Sequence, residues 1–155
     1  MNETPTTGAQ GQEVTFVRVI DAPRDLVWKA WTEPEQFAVW FGGREMTVPL
    51  DRVSLDLRPG GRWEATMVAD DGSELPFRGE YREVSEPERL VLTFEDVVDE
   101  NNPGVEVLTV TFADQGDKTH IVIHQAGNMP EEQYEALIQG YGTFMDALAE
   151  HLAKS

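Results

Sequence analysis

The chain has 155 residues, a length at which one domain buries roughly 70% of its unfolded surface, so it needs neither disulfide nor metal to fold. It contains no cysteine, which excludes thiolate nucleophiles, cysteine zinc sites and iron–sulfur clusters. Its 29 acidic and 12 basic side chains give a formal charge of −17, which repels phosphate backbones and anionic lipid surfaces, so nucleic acid is not expected as a partner.

Residues 1–12 are polar and aperiodic, with Glu3 where a signal peptide would be basic and then apolar, and they read as a disordered tail ahead of one domain over 13–155. No apolar run approaches the roughly 20 residues that span a bilayer, so no stable membrane insertion is expected and the location is read as cytoplasmic. Val14 to Ile20 alternates Phe, Val and Ile with Thr and Arg, the period of a half-buried strand, and Asp21-Ala22-Pro23 ends it. Pro23 and Pro34 each open a short helix, because a first-turn proline loses no hydrogen bond there. The first helix runs to about Thr32; the second carries Phe37, Val39, Trp40 and Phe41 and stops at Gly42-Gly43.

From Met46 to Ala126 strand-length segments are separated by turn signals, predicting strands over 46–57, 62–69, 75–84, 89–97, 105–113 and 118–126 in an antiparallel meander. Alternation puts Trp63, Ala65, Met67, Phe77, Gly79, Tyr81, Leu90, Leu92, Phe94, Leu108, Val110, Phe112, Ile121, Ile123 and Gln125 on one face. Arg62, Glu64, Thr66, Arg78, Glu80, Arg82, Thr93, Glu95, Thr109, Thr111, His120 and His124 fall on the other, which suits water. A final helix opening at Pro130-Glu131-Glu132 carries Tyr134, Leu137, Ile138, Tyr141, Met145, Leu148 and Leu152 at helical spacing and covers the apolar face. The fold expected is α+β: a curved antiparallel sheet of about seven strands, two short helices, and a long C-terminal helix over its concave face.

A helix laid along a curved sheet leaves a space that can hold a ligand. Trp40, Phe41, Trp63, Met67, Tyr81, Phe94, Gln125, Ile138, Tyr141 and Met145 are the candidate cavity residues, although each aromatic also fits ordinary core packing. Gln125 stands out, since an amide on the inward face needs a partner in the backbone, water or a ligand. Gly140 and Gly142 flank Tyr141 within the helix at about 1 kcal/mol each relative to Ala, which points to a cavity or to close approach to the sheet.

His120 and His124 stand about 13 Å apart along a strand, too far to share one metal ion, and His151 suits the negative end of the helix dipole. Asp96, Asp99, Glu100 and the Asp70-Asp71-Gly72 tip lack calcium-loop spacing. Asp56 and Arg58 fit either a structural ion pair or a polar lip at the cavity mouth. No phosphate loop or serine-hydrolase elbow is present, so neither cofactor nor metal is expected and no catalytic residue is assigned.

Ile20-Asp21-Ala22-Pro23 with Val27-Trp28, Trp40-Phe41-Gly42, Asp56-Leu57-Arg58-Pro59-Gly60-Gly61-Arg62 and Glu86-Pro87-Glu88-Arg89-Leu90-Val91 resemble the activator of heat-shock protein 90 ATPase homologue family. That family lies in the helix-grip superfamily with START lipid-transfer domains, the major birch pollen allergen and polyketide cyclases. The resemblance covers about 13–153, and Tyr141 departs from it, standing where the family typically has Trp. It implies binding of a small hydrophobic molecule (a lipid, a polyketide-like compound or an aromatic), with two alternatives. One is action on a chaperone ATPase, weakened by the short tail where the eukaryotic activators carry a further domain; the other is a cyclase or hydrolase in which Tyr81, Gln125 or Tyr141 polarises a carbonyl.

Overall fold

The computed structural model describes residues 12–43, 46–95, 105–127 and 131–153. In chain order these form β1 (Gln12–Ile20), α1 (Arg24–Thr32), α2 (Pro34–Trp40), a 3-10 turn (Leu50–Arg52), β2 (Val53–Leu55) and β3 (Arg62–Val68). There follow β4 (Glu74–Ser85), β5 (Arg89–Glu95), β6 (Val105–Asp114), β7 (Thr119–Gly127) and α3 (Glu131–Ala153). The loop bearing Asp96, Asp99 and Glu100, residues 1–11 of the tail and the side chain of Tyr134 lie outside the described residues.

The strands form one curved seven-stranded sheet in the order β1-β7-β6-β5-β4-β3-β2, every neighbour antiparallel. β2 to β7 follow one another as the turn signals require, while β1 crosses to pair with β7, Gln12 facing Gly127 and Ile20 facing Thr119. The expected 46–57 strand is broken. Thr47 makes an isolated bridge to Val68, Pro49 follows, and only three residues of β2 join the ladder. Pro49 explains this, because it has no N–H for a ladder and its fixed φ of −65° leads into the 3-10 turn.

Both short helices begin as expected. Pro23 caps α1 from an extended conformation and Pro34 is the first residue of α2. Where α1 ends, the Thr32 hydroxyl donates to Trp28 O at 2.9 Å and the Glu33 N–H to Lys29 O at 2.9 Å. The two helices and α3 cover the inward face, where Trp63, Ala65, Val110, Ile121, Ile123, Met145 and Leu148 are essentially inaccessible. α3 is anchored unevenly: Tyr141, Met145, Leu148 and Leu152 are buried, Leu137 and Ile138 only half so. Arg18, on the inward face of the end strand β1, fixes it by an ion pair to Asp146 at 2.9 Å. His151 Nε2 lies 3.2 Å from Gln36 Oε1 and so ties α3 to α2.

Thr93 and Thr66 depart from the expected water-facing set, being 2% and 8% exposed. Thr93 is explained by a gap in the β4–β5 ladder, whose register runs from Arg78↔Glu95 to Tyr81↔Leu92 without pairing between. The Trp63 indole N–H reaches across from β3 to donate to Thr93 O at 2.8 Å, and the Glu80 N–H donates to the Thr93 hydroxyl at 2.9 Å. A glycine permits this crossing, because a Cβ on Gly79 would stand 1.7 Å from Thr93 O and 2.6 Å from Trp63 Nε1.

Candidate functional site

A cavity of about 110 Å³ lies between α3, α2 and the central strands. Trp40 and Phe41 reach it from the end of α2, Trp63 and Met67 from β3, Phe94 from β5, and Tyr141 and Met145 from α3, so the structure brings these sequence candidates around one cavity. Trp31, Phe37, Phe77, Leu92, Leu108, Leu137 and Phe144 complete the lining. Phe77, Leu92 and Leu108 carry the right strand parity in the sequence, whereas Trp31 and Phe37 depend on how the two short helices dock. Phe37 and Phe41 stack at 4.6 Å between centroids, while other rings meet edge to face or tilted, Trp31 to Trp40 at 4.7 Å and Trp63 to Phe94 at 5.0 Å. Trp31 Nε1 is buried with no hydrogen-bond partner among the described residues.

Three candidates lie elsewhere. Ile138 is half-buried on α3 outside the lining. Tyr81 is 2% exposed and sits where the Asp56–Gly61 turn docks, the Gly60 N–H donating to Tyr81 O at 2.8 Å and the Tyr81 N–H to Gly61 O at 2.9 Å. Burial, and secondarily the Asp56 carboxylate, push its phenol well above the ordinary tyrosine range. Gln125 is 1% exposed and satisfied by side chains: its amide nitrogen donates to Glu106 Oε1 at 2.9 Å, and its amide oxygen accepts from the Tyr141 hydroxyl.

Glu106 was not among the candidates, yet it is a carboxylate only 6% exposed on the inward face. The parity of Leu108, Val110 and Phe112 continues to it, and that was the available signal. Its room comes from Gly127, where a Cβ would fall 1.7 Å from Glu106 Oε2. Tyr141, Gln125 and Glu106 thus form a polar row beside a cavity whose own surface is apolar, with Leu108 of the lining directly opposite Gln125 in the β6–β7 ladder and Phe94 opposite Glu106 in β5–β6.

The Asp56–Arg62 motif builds a turn, with Gly60 at a φ of +85° after Pro59 and the Gly61 N–H donating to Arg58 O at 2.8 Å. Arg58 Nε meets both Asp56 carboxylate oxygens at 3.0 Å, an exposed ion pair within the turn rather than a contact with the cavity. A second depression of about 440 Å³, edged by Asp25, Trp28, Lys29, Glu86 and Pro87, is larger but shallow and charged, so it lacks the walls that exclude water. Among the described residues no three His, Asp or Glu stand close enough to hold one metal ion. Among the described residues, too, no helix is long and apolar enough to cross a membrane.

The family model described as "Activator of Hsp90 ATPase homolog 1-like protein" matches residues 21–153. The chain belongs to this family. Within the family's fold, the match takes in the cavity, the Asp56–Arg62 turn and the Glu106–Gln125–Tyr141 row, leaving β1 outside it. A solved structure from Chromobacterium violaceum is 26% identical with a TM-score of 0.78, covering 90% of this chain and 96% of its own. One from Nitrosomonas europaea, at 24% identity and a TM-score of 0.77, covers 92% and 94%. The AHSA1 protein of Silicibacter pomeroyi, at 17% identity and a TM-score of 0.77, covers 91% and 97%; these last two bear on the fold alone. A comparison with curated proteins gave no match. In general terms this is a fold family of ligand-binding domains.

Proposed function

We propose that this domain binds one compact apolar molecule, about the size of an aromatic ring, between α3 and the sheet. The observation that carries the reading is the cavity itself: about 110 Å³ walled by aromatic and aliphatic side chains. Apolar cavities of roughly 150 Å³ stay dry and bind benzene, so the volume favours a ring over an extended lipid or polyketide chain. Burying roughly 200 Å² of ligand surface at about 25 cal/mol per Å² contributes about 5 kcal/mol before association costs.

Tryptophans 31, 40 and 63 line the space, so a titration with toluene followed by tryptophan fluorescence reads occupancy directly. The expected result is saturable binding that Leu108→Phe, which fills the cavity, abolishes while circular dichroism stays unchanged. Absence of any saturable signal with toluene, or an unaffected one in the filled variant, refutes the reading.

The family's name supports a second reading, action on a chaperone ATPase. It predicts a changed ATPase rate when this protein is added to a heat-shock protein 90, and an unaltered rate removes it.

A further inference from the structure

Among the described residues lining the cavity, only Phe77, Phe94, Leu137 and Phe144 are half-buried; the others are buried. The space therefore meets solvent between α3 and strands β4 and β5. The rings of Phe144, Phe41, Phe77 and Phe94 follow one another at 5.6, 5.7 and 6.3 Å between centroids and form a continuous rim. The remaining side of the mouth is Leu137, on the turns of α3 ahead of Gly140.

α3 changes character at that point. From Thr143 onward it is held: a Cβ on Gly43 would fall 2.6 Å from Thr143 Cγ2, so the end of α2 presses on the helix there. Asp146 is paired with Arg18 at 2.9 Å, and Met145 and Leu148 are inaccessible. Ahead of Tyr141 the packing is loose, with Glu135, Ala136 and Gln139 exposed and Leu137 and Ile138 half-buried. Gly140 and Gly142 stand at the boundary. A Cβ on Gly140 would meet nothing within 4 Å and one on Gly142 only Arg18 Nη2 at 3.9 Å, so close approach to the sheet calls for a glycine at neither. Both nevertheless weaken the helix interior. The carbonyl ladder is drawn on by side chains at the same place, the Thr143 hydroxyl donating to Gln139 O at 3.3 Å and Arg18 Nη2 to Gly142 O at 3.5 Å. Neighbouring glycines and side chains bonded into the ladder are recognised causes of helix bending.

We propose that α3 bends at Gly140–Gly142, so that the turns carrying Leu137 swing away from the Phe77–Phe94 rim and admit the guest. This rests on the binding reading above and adds its route of entry. Tyr141 stays bonded to Gln125, and the Thr143 hydroxyl gives Gln139 O a partner when its ladder bond parts. The glycines thus serve passage into the cavity rather than packing against it.

Toluene is titrated against the full chain, with equilibrium occupancy read by tryptophan fluorescence and kon and koff by NMR line shapes. Alanine at the hinge favours the closed helix equally with and without guest, so only the open form becomes rarer. Gly140→Ala should lower kon and koff together by about fivefold and leave Kd unchanged, and the double variant with Gly142→Ala should lower both by about 25-fold. Ala149→Gly, in the held half of α3, lowers the urea midpoint but should leave both rates where they were.

If toluene binds and Gly140→Ala leaves the rates unchanged, or moves only one of them and so shifts Kd, the hinge is overturned while the cavity reading stands. If Ala149→Gly speeds both rates, entry follows unfolding of the whole chain and the hinge is equally overturned. If toluene gives no saturable binding, both readings fall together.

Discussion

Replacing Gly79 with alanine is the sharpest test of how the sheet is assembled. Gly79 does not have a positive φ, so ordinary strand energetics favour the change by roughly 0.5–1 kcal/mol, through the lower backbone entropy of alanine. The structure reverses the sign. The new methyl would stand 1.7 Å from Thr93 O, a backbone atom that cannot swing aside, and 2.6 Å from Trp63 Nε1. Accommodating it means prising β4 from β5, which as overpacking costs about 1–3 kcal/mol. It also means parting the buried indole N–H from Thr93 O, now bonded at 2.8 Å, which costs about 1–3 kcal/mol more. The net expectation is a loss of about 2–5 kcal/mol. With a urea slope of about 2 kcal/mol per M, the unfolding midpoint should fall by about 1–2.5 M, read by tryptophan fluorescence and circular dichroism together. A midpoint that stays put or rises would show that Trp63 does not cross at Gly79 and would undo the account of the ladder gap.

Gly140→Ala should do the opposite: its Cβ meets nothing within 4 Å, so the helix gains about 1 kcal/mol and the midpoint rises, whereas a fall would reveal a contact at that face of α3. Glu95 is held below the ordinary glutamate value of 4.5 by its hydrogen bond to Arg62 at 2.7 Å, so its contribution to stability is present above that value and disappears as the pH drops through the lowered one. Glu95→Gln should accordingly flatten the acid limb of a stability–pH curve, and an unchanged limb counts against the pair. Tyr81 is raised, so the unfolded chain ionises first and stability should decline as the pH climbs past the ordinary tyrosine value of 10.0. In Tyr81→Phe that alkaline decline should be shallower, measured by urea midpoints across the same range.

The meander, both proline-led helices and the apolar stripe of α3 were legible because each depends on short-range periodicity. The same parity that placed Trp63, Met67, Phe94 and Leu108 inward also placed Glu106 there, but an acidic residue at a strand start reads as solvent-facing until its partners are known. Those partners, Gln125 and Tyr141, come from β7 and α3, and their meeting is a matter of register between distant segments. Thr93 was misassigned for a related reason: its carbonyl is taken by an indole one strand further away, an arrangement no local alternation contains. The interrupted strand after Met46 was different, since Pro49 was in plain view as the residue a ladder cannot use.

β1 occupies an outer position in the sheet and borders only β7, whose residues follow roughly 100 positions later. During synthesis at about 5–20 residues per second, Val14, Phe16 and Ile20 therefore leave the ribosome about 5–20 s before any strand exists to receive them. The nascent chain must carry that sticky segment unmatched until β7 has been made, so the seam between β1 and β7 is the last in the sheet that synthesis allows to close.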